Sequence, residues 1–164
     1  MTQNRPGKVW QRGHTFEEFE IGKEFQHHWG KTITAGENAL FTTSMLAFCP
    51  LYTNADYARK NGHKDVVVYP MLVFITVFGM SVEDLSEGGG TGGAFLGYDK
   101  LRFLAPVYPG DTLYGDSTVL STRLSGSRPD FGIVSWNTVG TNQRGEKVVT
   151  FERTNMVGTK AAIQ

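Results

Sequence analysis

Side chains that can hold or transfer a proton are concentrated in a polar connection at residues 49–69. Tyr52 and Tyr69 carry phenols that can donate a hydrogen bond, although a phenol with its ordinary pKa of about 10 is a poor base near neutrality. His63 titrates in the neutral range, and Asp65, two residues later, could orient its ring. A connection this long is more often functional than idle. The pattern indicates proton transfer or hydrogen bonding to a ligand, with packing tyrosines and an exposed loop as the structural alternatives.

Two basic side chains, Lys100 and Arg102, lie two positions apart in a predicted strand. This spacing places both on one face of the strand, where they could bind a phosphate or a carboxylate. A cross-strand ion pair with Glu152 is the alternative. His27 and His28 are adjacent in another predicted strand, so we expect them to face opposite sides of the sheet. Because imidazoles so placed cannot share a ligand, no metal site is predicted.

Two helices are predicted, one on each side of the polar connection. The T-A-G-E stretch from Thr34 to Glu37 is a capping box, and apolar residues then recur at helical spacing through about Phe48. Residues 70–85 begin with a proline suited to a first helical turn and are apolar on every face, which predicts a buried helix; a buried pair of strands is the alternative. The start of such a helix directs unpaired N–H groups and a positive dipole end toward the polar connection.

Alternating patterns from Ala94 onward predict four strands, AFLGYDKLRFLAPV, DTLYGDSTVLSTRL, FGIVSWNTVGTNQ and KVVTFERTNMV. Short connections between them predict an antiparallel sheet. The stretch FQHHWGKTIT, rich in aromatic and β-branched residues, predicts an earlier strand. Five glycines among residues 88–93 predict a mobile loop rather than a phosphate-binding one, because no Lys-Ser or Lys-Thr follows. The order of elements predicts an α+β domain in which a curved antiparallel sheet surrounds a central helix.

The composition limits the classes of protein to consider. The 164 residues suit one domain, predicted at residues 14–158 between a flexible arm at 1–13 and a tail at 159–164. Sixteen basic and sixteen acidic side chains give zero formal net charge, so no overall field favours nucleic acid or a membrane surface. The single cysteine, Cys49, and the lack of an apolar leader predict a cytoplasmic protein, and no apolar run approaches the roughly 20 residues of a membrane span.

The segment YDKLRFLAPVYPGDTL, residues 98–113, resembles the strand and turn of MaoC-like enoyl-CoA hydratases, which carry a P-V-x-x-G-D-x-L turn. The opening FEEFEIG, the T-I-T at Thr32–Thr34 and the order of elements extend the resemblance over residues 14–158. It implies a hot-dog fold, a dimer of side-by-side sheets, an acyl-CoA thioester near the dimer boundary, and no cofactor besides that substrate. The stretches VVVYPMLVFITVFG and VYPGDTL are most similar to the mesaconyl-CoA hydratase branch, which acts on branched C4-dicarboxyl thioesters. In the turn, Asp111 would have a structural task, bonding nearby backbone N–H groups.

The chain departs from this family at the hydratase motif D-x-N-P-x-H, in which an acid and an imidazole hold and activate the added water. Aligning the motif's proline with Pro50 places Ala47 at the acid, Cys49 at the amide and Tyr52 at the imidazole. Neither usual acid–base group is therefore present at these positions.

A second departure lies at the start of the central helix. The family has His-Gly there, with a backbone N–H that polarises the thioester carbonyl, whereas this chain has Tyr69-Pro70. Because proline has no N–H, the contact would have to come from Met71 or from a shifted register.

Three functions are compatible with the resemblance and its departures. The first is hydration and dehydration of a short-chain enoyl-CoA thioester, dicarboxylic acyl groups included, with acid and base drawn from Tyr52, Tyr69 or His63. The second is a catalytically incomplete acyl-CoA-binding subunit that pairs with an active hot-dog partner; the expected assembly is a homodimer or a hetero-oligomer. The third is an acyl-CoA thioesterase, for which Asp65 is the nearby carboxylate. The candidate substrate-binding residues are Cys49, Pro70, Met71, Asp65, Lys100 and Arg102.

Overall fold

The computed structural model describes residues 13–86 and 93–163. The predicted N-terminal arm lies outside the described residues except for Gly13, whose N–H donates to the Glu83 carbonyl at 2.8 Å. The glycine-rich run also lies outside them except for Gly93. No helix in the described ranges is both long and apolar enough to cross a membrane.

The described chain folds into helices and one sheet in the predicted α+β order. The helices are α1 (Ala35–Ser44), α2 (Pro50–Thr53), α3 (Ala55–Lys60) and α4 (Pro70–Leu85), with short 3-10 helices at Phe16–Glu18 and Lys160–Ile163. The strands are β1 (Glu24–Gln26), β2 (Lys31–Thr32), β3 (Phe95–Phe103), β4 (Thr112–Leu124), β5 (Phe131–Asn142) and β6 (Lys147–Gly158).

Helix α4 has the bounds that the sequence predicts, Pro70 to Leu85. Its buried side chains, with Val77 at their centre, form one apolar core with residues of the sheet such as Phe151. One stripe remains open, because Ile75 is 46% exposed and Gly79, four residues later, is exposed as well. The prediction of burial on every face therefore holds for the sheet side of the helix and not for this stripe.

The sheet has the strand order β1-β4-β5-β6-β3, with every pair antiparallel and β2 also pairing with β4. Strands β4, β5 and β6 form consecutive hairpins, as their short connections predict. Strand β3 pairs with β6 rather than with β4, so residues 104–111 carry the chain from the β6 side of the sheet to β4. Strand β3 is therefore an edge strand.

Helix α1 begins as predicted and ends earlier. The Glu37 N–H donates to Thr34 Oγ1 at 3.1 Å, and Glu37 Oε2 accepts from the Thr34 N–H at 3.0 Å, so the capping box is present. The helix ends at Ser44 instead of near Phe48. Leu46 adopts a left-handed backbone with φ of 54°, which no helix can continue through.

The predicted strand at residues 25–34 is divided into β1 and β2. Gly30 lies in the interval, packed against the ring of Tyr114, where a Cβ would be 2.4 Å from the nearest ring carbon. This contact leaves no room for a side chain. The interruption changes the directions in which residues 27–29 project.

Asp111, predicted to act structurally in its turn, is buried and joins two turns. Its Oδ2 accepts from the Tyr108 N–H at 3.0 Å, and its Oδ1 accepts from Gln143 at 2.8 Å and from Arg144 at 3.0 Å. Burial by itself raises the pKa of Asp111, but these hydrogen bonds, that of Gln143 foremost, outweigh it and hold the pKa below its usual value. The carboxylate therefore connects the turn before β4 to the β5–β6 turn.

Asp111→Asn is expected to lower the free energy of unfolding by about 1–3 kcal/mol at neutral pH, since an amide cannot accept three hydrogen bonds with the strength of a carboxylate. The folded-state pKa is depressed, so this contribution is present above the unfolded-state pKa of about 4 and is lost as the pH falls through the folded-state value. Urea unfolding at neutral pH and near pH 3 measures both effects, and the difference from wild type should shrink in acid. Asp56→Asn, at an ion-paired side chain 72% exposed, is the control and should cost under about 0.5 kcal/mol. Equal losses for the two variants would contradict the assignment.

Candidate functional site

The start of α4 presents a backbone donor to the loop before it. Tyr69 is the N-cap residue and Pro70 occupies the first helical position. The Leu72 N–H donates to the Tyr69 carbonyl at 2.8 Å, whereas the Met71 N–H has no acceptor within the described residues. The positive end of the helix dipole reinforces this donor. A carbonyl oxygen that gains negative charge would therefore be stabilised at this position.

Asn38, on the buried side of α1, holds the loop before α4 in place. Its Oδ1 accepts from the Tyr69 N–H at 2.8 Å, and its Nδ2 donates to the carbonyls of Tyr52 and Val67 at 3.2 and 3.3 Å. The side chain is 1% exposed, whereas Leu40 on the same helix is 71% exposed. One buried amide thus joins α1, α2 and the N-cap of α4. Sequence reasoning missed Asn38 because it followed the apolar side chains of this helix, and Asn38 is polar.

Tyr52 and Tyr69 are brought together, with their ring centroids 5.0 Å apart. Phe41 of α1 completes the cluster, its ring centroid 6.0 Å from that of Tyr69. Burial raises the pKa of Tyr52, with smaller contributions from the neighbouring Cys49 and Tyr69. Tyr52 therefore keeps its proton at neutral pH, so it can donate a hydrogen bond but cannot act as a base.

An apolar cavity of about 250 Å³ lies beside the start of α4. The side chains that line it are apolar, and its walls include Val67, Val68, Pro70, Val73, Phe103 and Val107. Such a cavity suits the uncharged part of a ligand, because these side chains offer no partner to a carboxylate or a phosphate.

MaoC-like hydratases carry an acid and an imidazole in their D-x-N-P-x-H motif. The corresponding positions of this chain hold neither group. Ala47 is half-buried, Cys49 is exposed, and Tyr52 is the protonated phenol described above. These residues can polarise a carbonyl and donate hydrogen bonds. They provide no general base for activating water.

His63 lies apart from the two tyrosines. Its Nδ1 is 3.0 Å from the Tyr108 hydroxyl, and the rings of these two residues are 6.1 Å apart. Among the residues that the structure describes, no hydrogen bond or ring contact joins His63 to Tyr52 or Tyr69. The three candidate acid–base residues therefore do not form one cluster.

Asp65 does not orient His63, contrary to the prediction. Its Oδ1 accepts from the Val66 N–H at 2.8 Å and lies 3.7 Å from the Arg59 guanidinium. The carboxylate thus stabilises its own loop, because the chain turns it toward α3 rather than toward the imidazole.

A bulge interrupts the strand face predicted to carry Lys100 and Arg102. Lys100 has φ of 51°, and the register between β3 and β6 shifts between Asp99 and Arg102. The extra residue breaks the alternation on which a shared face depends. Lys100 Nζ lies 2.7 Å from Glu152 Oε1, and Arg102 donates to the neighbouring Leu101 carbonyl. The cross-strand ion pair is thus formed, and the argument for a joint anion site does not hold.

His27 and His28 meet on one carboxylate, contrary to the prediction. His27 Nδ1 is 2.6 Å from Asp84 Oδ2, and His28 Nδ1 is 3.3 Å from Asp84 Oδ1. Strand β1 ends at Gln26, so strand alternation does not apply to these residues. His27 Nε2 also lies 2.8 Å from Ser117 Oγ.

The Ser117, His27 and Asp84 side chains have the connectivity of a hydrolase triad, but they are enclosed. Their residues are 1%, 2% and 7% exposed, so the serine has no path to a substrate. The hydrogen bonds of this cluster instead connect β4 and the segment after β1 to the end of α4. In the described part of the chain, no group of His, Cys, Asp and Glu is arranged to hold a metal ion.

Comparison with protein families gives one match over nearly the whole chain. The model of the family described as mesaconyl-CoA hydratase matches residues 5–164. A mesaconyl-CoA hydratase of Haloarcula marismortui is 40% identical over 148 residues, which cover 90% of this chain and 40% of that protein. The chain thus spans about two fifths of the length of this curated relative.

Solved structures show the same architecture. A protein from Chloroflexus aurantiacus described as a MaoC domain protein dehydratase superposes with a TM-score of 0.83 and 34% identity, covering 95% of this chain and 43% of that one. A Mycobacterium tuberculosis protein described as having a double hot-dog fold superposes with a TM-score of 0.77 and 24% identity, covering 90% of this chain and 45% of that one. The hot-dog fold expected from the sequence is confirmed.

Asn38→Ala should destabilise the fold by about 2–3 kcal/mol, because it leaves the buried Val67 carbonyl and the partly buried Tyr52 carbonyl and Tyr69 N–H without their partner. The measurement is the midpoint and slope of urea unfolding at neutral pH. Asn61→Ala is the matched control, because Asn61 also donates to a carbonyl, that of Tyr57, but is exposed. A loss for Asn38→Ala no larger than for the control would show that the amide does not hold the loop.

Proposed function

The chain belongs to the mesaconyl-CoA hydratase family, and from that membership we propose that it takes part in the hydration and dehydration of a short-chain enoyl-CoA thioester. The proposed substrates include thioesters of short dicarboxylic acyl groups, since a relative that is 40% identical is named for mesaconyl-CoA. The role proposed for this chain is to hold the thioester and to stabilise the charge that develops on it.

The start of α4 is the observation that carries this proposal. Adding water across the double bond of an enoyl thioester builds negative charge on the thioester oxygen. The Met71 N–H, which has no acceptor in the described ranges, is available to that oxygen at the positive end of the helix dipole. Tyr52 and Tyr69 are the hydrogen-bond donors we assign to the same pocket, and the apolar cavity beside Pro70 accepts the uncharged part of the substrate.

We infer that a second hot-dog unit supplies the acid and the base. Ala47, Cys49 and Tyr52 stand where the motif would place its functional groups, and none of them can activate water at neutral pH. The lengths of related proteins support the inference, because this chain matches only 40% of a mesaconyl-CoA hydratase and 45% of a protein with a double hot-dog fold.

The surface proposed for the second unit consists of the open edge of β3 and the open stripe of α4. Large apolar side chains on β3 are 42% to 49% exposed, namely Phe95, Leu96, Tyr98 and Phe103. Ile75 of α4 is 46% exposed as well. An edge strand with exposed apolar side chains is typical of a surface that another domain covers.

A thioesterase is less well supported than a hydratase. Its candidate carboxylate, Asp65, is engaged by the Val66 N–H and faces Arg59. The proposed hydration moves a proton and a hydroxide onto the double bond without a change in redox state, so it requires no redox cofactor.

The test combines the full chain with crotonyl-CoA or mesaconyl-CoA, alone and mixed with a hot-dog unit that carries the D-x-N-P-x-H motif. Loss of enoyl absorbance reports hydration, and release of free thiol reports hydrolysis. We expect hydration only in the mixture. Hydration by the chain alone would place the acid and base within it, and thiol release would replace the hydratase by a thioesterase.

Tyr52→Phe should slow hydration by the mixture about tenfold, which corresponds to about 1.4 kcal/mol of lost transition-state stabilisation. The aromatic ring and its packing remain, so the stability of the chain should change little. Steady-state rates at saturating crotonyl-CoA give the comparison. Tyr57→Phe is the control, because the Tyr57 residue is 43% exposed on α3. A full rate for Tyr52→Phe would remove this hydroxyl from the mechanism.

A further inference from the structure

We propose that Lys64, His63 and Tyr108 form a phosphate-binding rim for the pantetheine-linked carrier of the acyl group. The phosphate could belong to CoA or to a phosphopantetheine-bearing carrier protein. This inference rests on the proposed function, because it assumes that the cavity beside α4 takes the uncharged part of the same ligand.

The rim residues adjoin two walls of that cavity along the chain. Val67 and Val107 line the cavity, and the Val68 N–H donates to the Val107 carbonyl at 2.8 Å, which holds the two walls together. Lys64 lies three residues before Val67, and Tyr108 follows Val107. A ligand with an apolar part in the cavity would therefore emerge next to these polar side chains.

Lys64 is the cation of the rim. Its Nζ lies 4.6 Å from the centroid of the Tyr108 ring, and no carboxylate is within ion-pair distance of it among the described residues. The two neighbouring cations are engaged: Arg59 faces Asp65 at 3.7 Å, and Lys60 lies 2.7 Å from Asp56. Lys64 is thus the basic side chain of this segment that remains open to an anion.

His63 and Tyr108 add hydrogen-bond donors next to that charge. His63 Nδ1 lies 3.0 Å from the Tyr108 hydroxyl, so the two side chains hold each other in position. A hydroxyl, an imidazole and an ammonium group within one small region are suitable donors for the oxygens of a phosphate.

The carboxylates on the facing turns do not neutralise Lys64. Asp111 is buried, and its oxygens accept from Tyr108, Gln143 and Arg144. Glu146 accepts from Asn142 at 2.8 Å. The Lys64 charge makes a small through-space contribution to lowering the pKa of Asp111, but within the described residues no carboxylate forms an ion pair with Lys64 Nζ.

The test measures binding without catalysis, using butyryl-CoA, whose saturated acyl group cannot be hydrated, and butyryl-pantetheine, which lacks every phosphate. Dissociation constants are determined by calorimetry for the full chain, alone and in the mixture with the second unit. Lys64→Ala should weaken butyryl-CoA binding about fivefold and leave butyryl-pantetheine binding unchanged. Lys64→Arg should retain the affinity for butyryl-CoA, and Lys60→Ala is the matched control with no expected effect.

Butyryl-4′-phosphopantetheine separates the two sources of phosphate. Sensitivity of its binding to Lys64→Ala supports a site for the phosphate that CoA and carrier proteins share. Sensitivity of butyryl-CoA alone supports a site for the nucleotide phosphates of CoA.

The proposed phosphate-binding rim would be wrong if Lys64→Ala weakened the binding of ligands with and without phosphate equally. It would also be wrong if the substitution changed the affinity for none of them. The same holds if butyryl-CoA does not bind in either preparation. Failure of hydration together with Lys64-dependent binding of butyryl-CoA would overturn the proposed reaction and leave the phosphate rim intact.

Discussion

The depth of α4 in the sheet is set by the contact between Val77 and two facing glycines. Gly115 of β4 and Gly140 of β5 are register partners under the helix. A Cβ on Gly140 would approach Val77 Cγ2 to 2.7 Å, and one on Gly115 would approach Val77 Cγ1 to 3.3 Å. A side chain at Gly140 would force the helix outward, and close-packed cores transmit such shifts along a rigid element. The positions of both ends of α4, and of the site at its start, therefore depend on this contact.

Polar side chains fix the two ends of the helix once its depth is set. At the start, Asn38 binds the N-cap. At the end, two imidazoles bind the Asp84 carboxylate, and the buried Arg153 guanidinium donates to Ser81 at 2.8 Å and to Ser86 at 2.6 Å. Burial lowers the pKa of Arg153 to about 10, and the negative end of the helix dipole offsets part of the cost of enclosing this charge. The helix is thus held axially by hydrogen bonds and laterally by apolar packing.

The elements that the sequence predicted well are those whose signals are local. Pro70 and the apolar run after it determine α4, and the Thr34 to Glu37 capping box determines the start of α1, because each depends on neighbours within one or two turns. The family assignment was equally accessible, since the turn motif is contiguous. By contrast, the positive φ angles of Leu46 and Lys100 end α1 and create the bulge in β3 at residues whose types do not favour such angles.

The partners of the candidate side chains were the least predictable part. His63 bonds Tyr108, which is 45 positions away, and His27 bonds Asp84, which is 57 positions away. Each pair joins segments that only the tertiary fold brings together, so no local spacing pattern predicts it. Asn38 has the same origin: its three partners lie on α2 and on the loop before α4.

The start of α4 can stabilise charge but cannot transfer protons, and both properties have a common physical cause. Burial of Tyr52 beside Tyr69 raises the pKa of its phenol, so the phenol keeps its proton at neutral pH. It can therefore donate a hydrogen bond, but its basic phenolate form is not populated. In the proposed assembly, the second unit brings the acid and the base to the thioester bound at Met71. Met71, Ile75 and Gly79 recur every four residues and so share one face of the helix. A partner docked along that face and along β3 would lie next to the Met71 N–H, so in the proposed assembly one surface both completes the fold and completes the site.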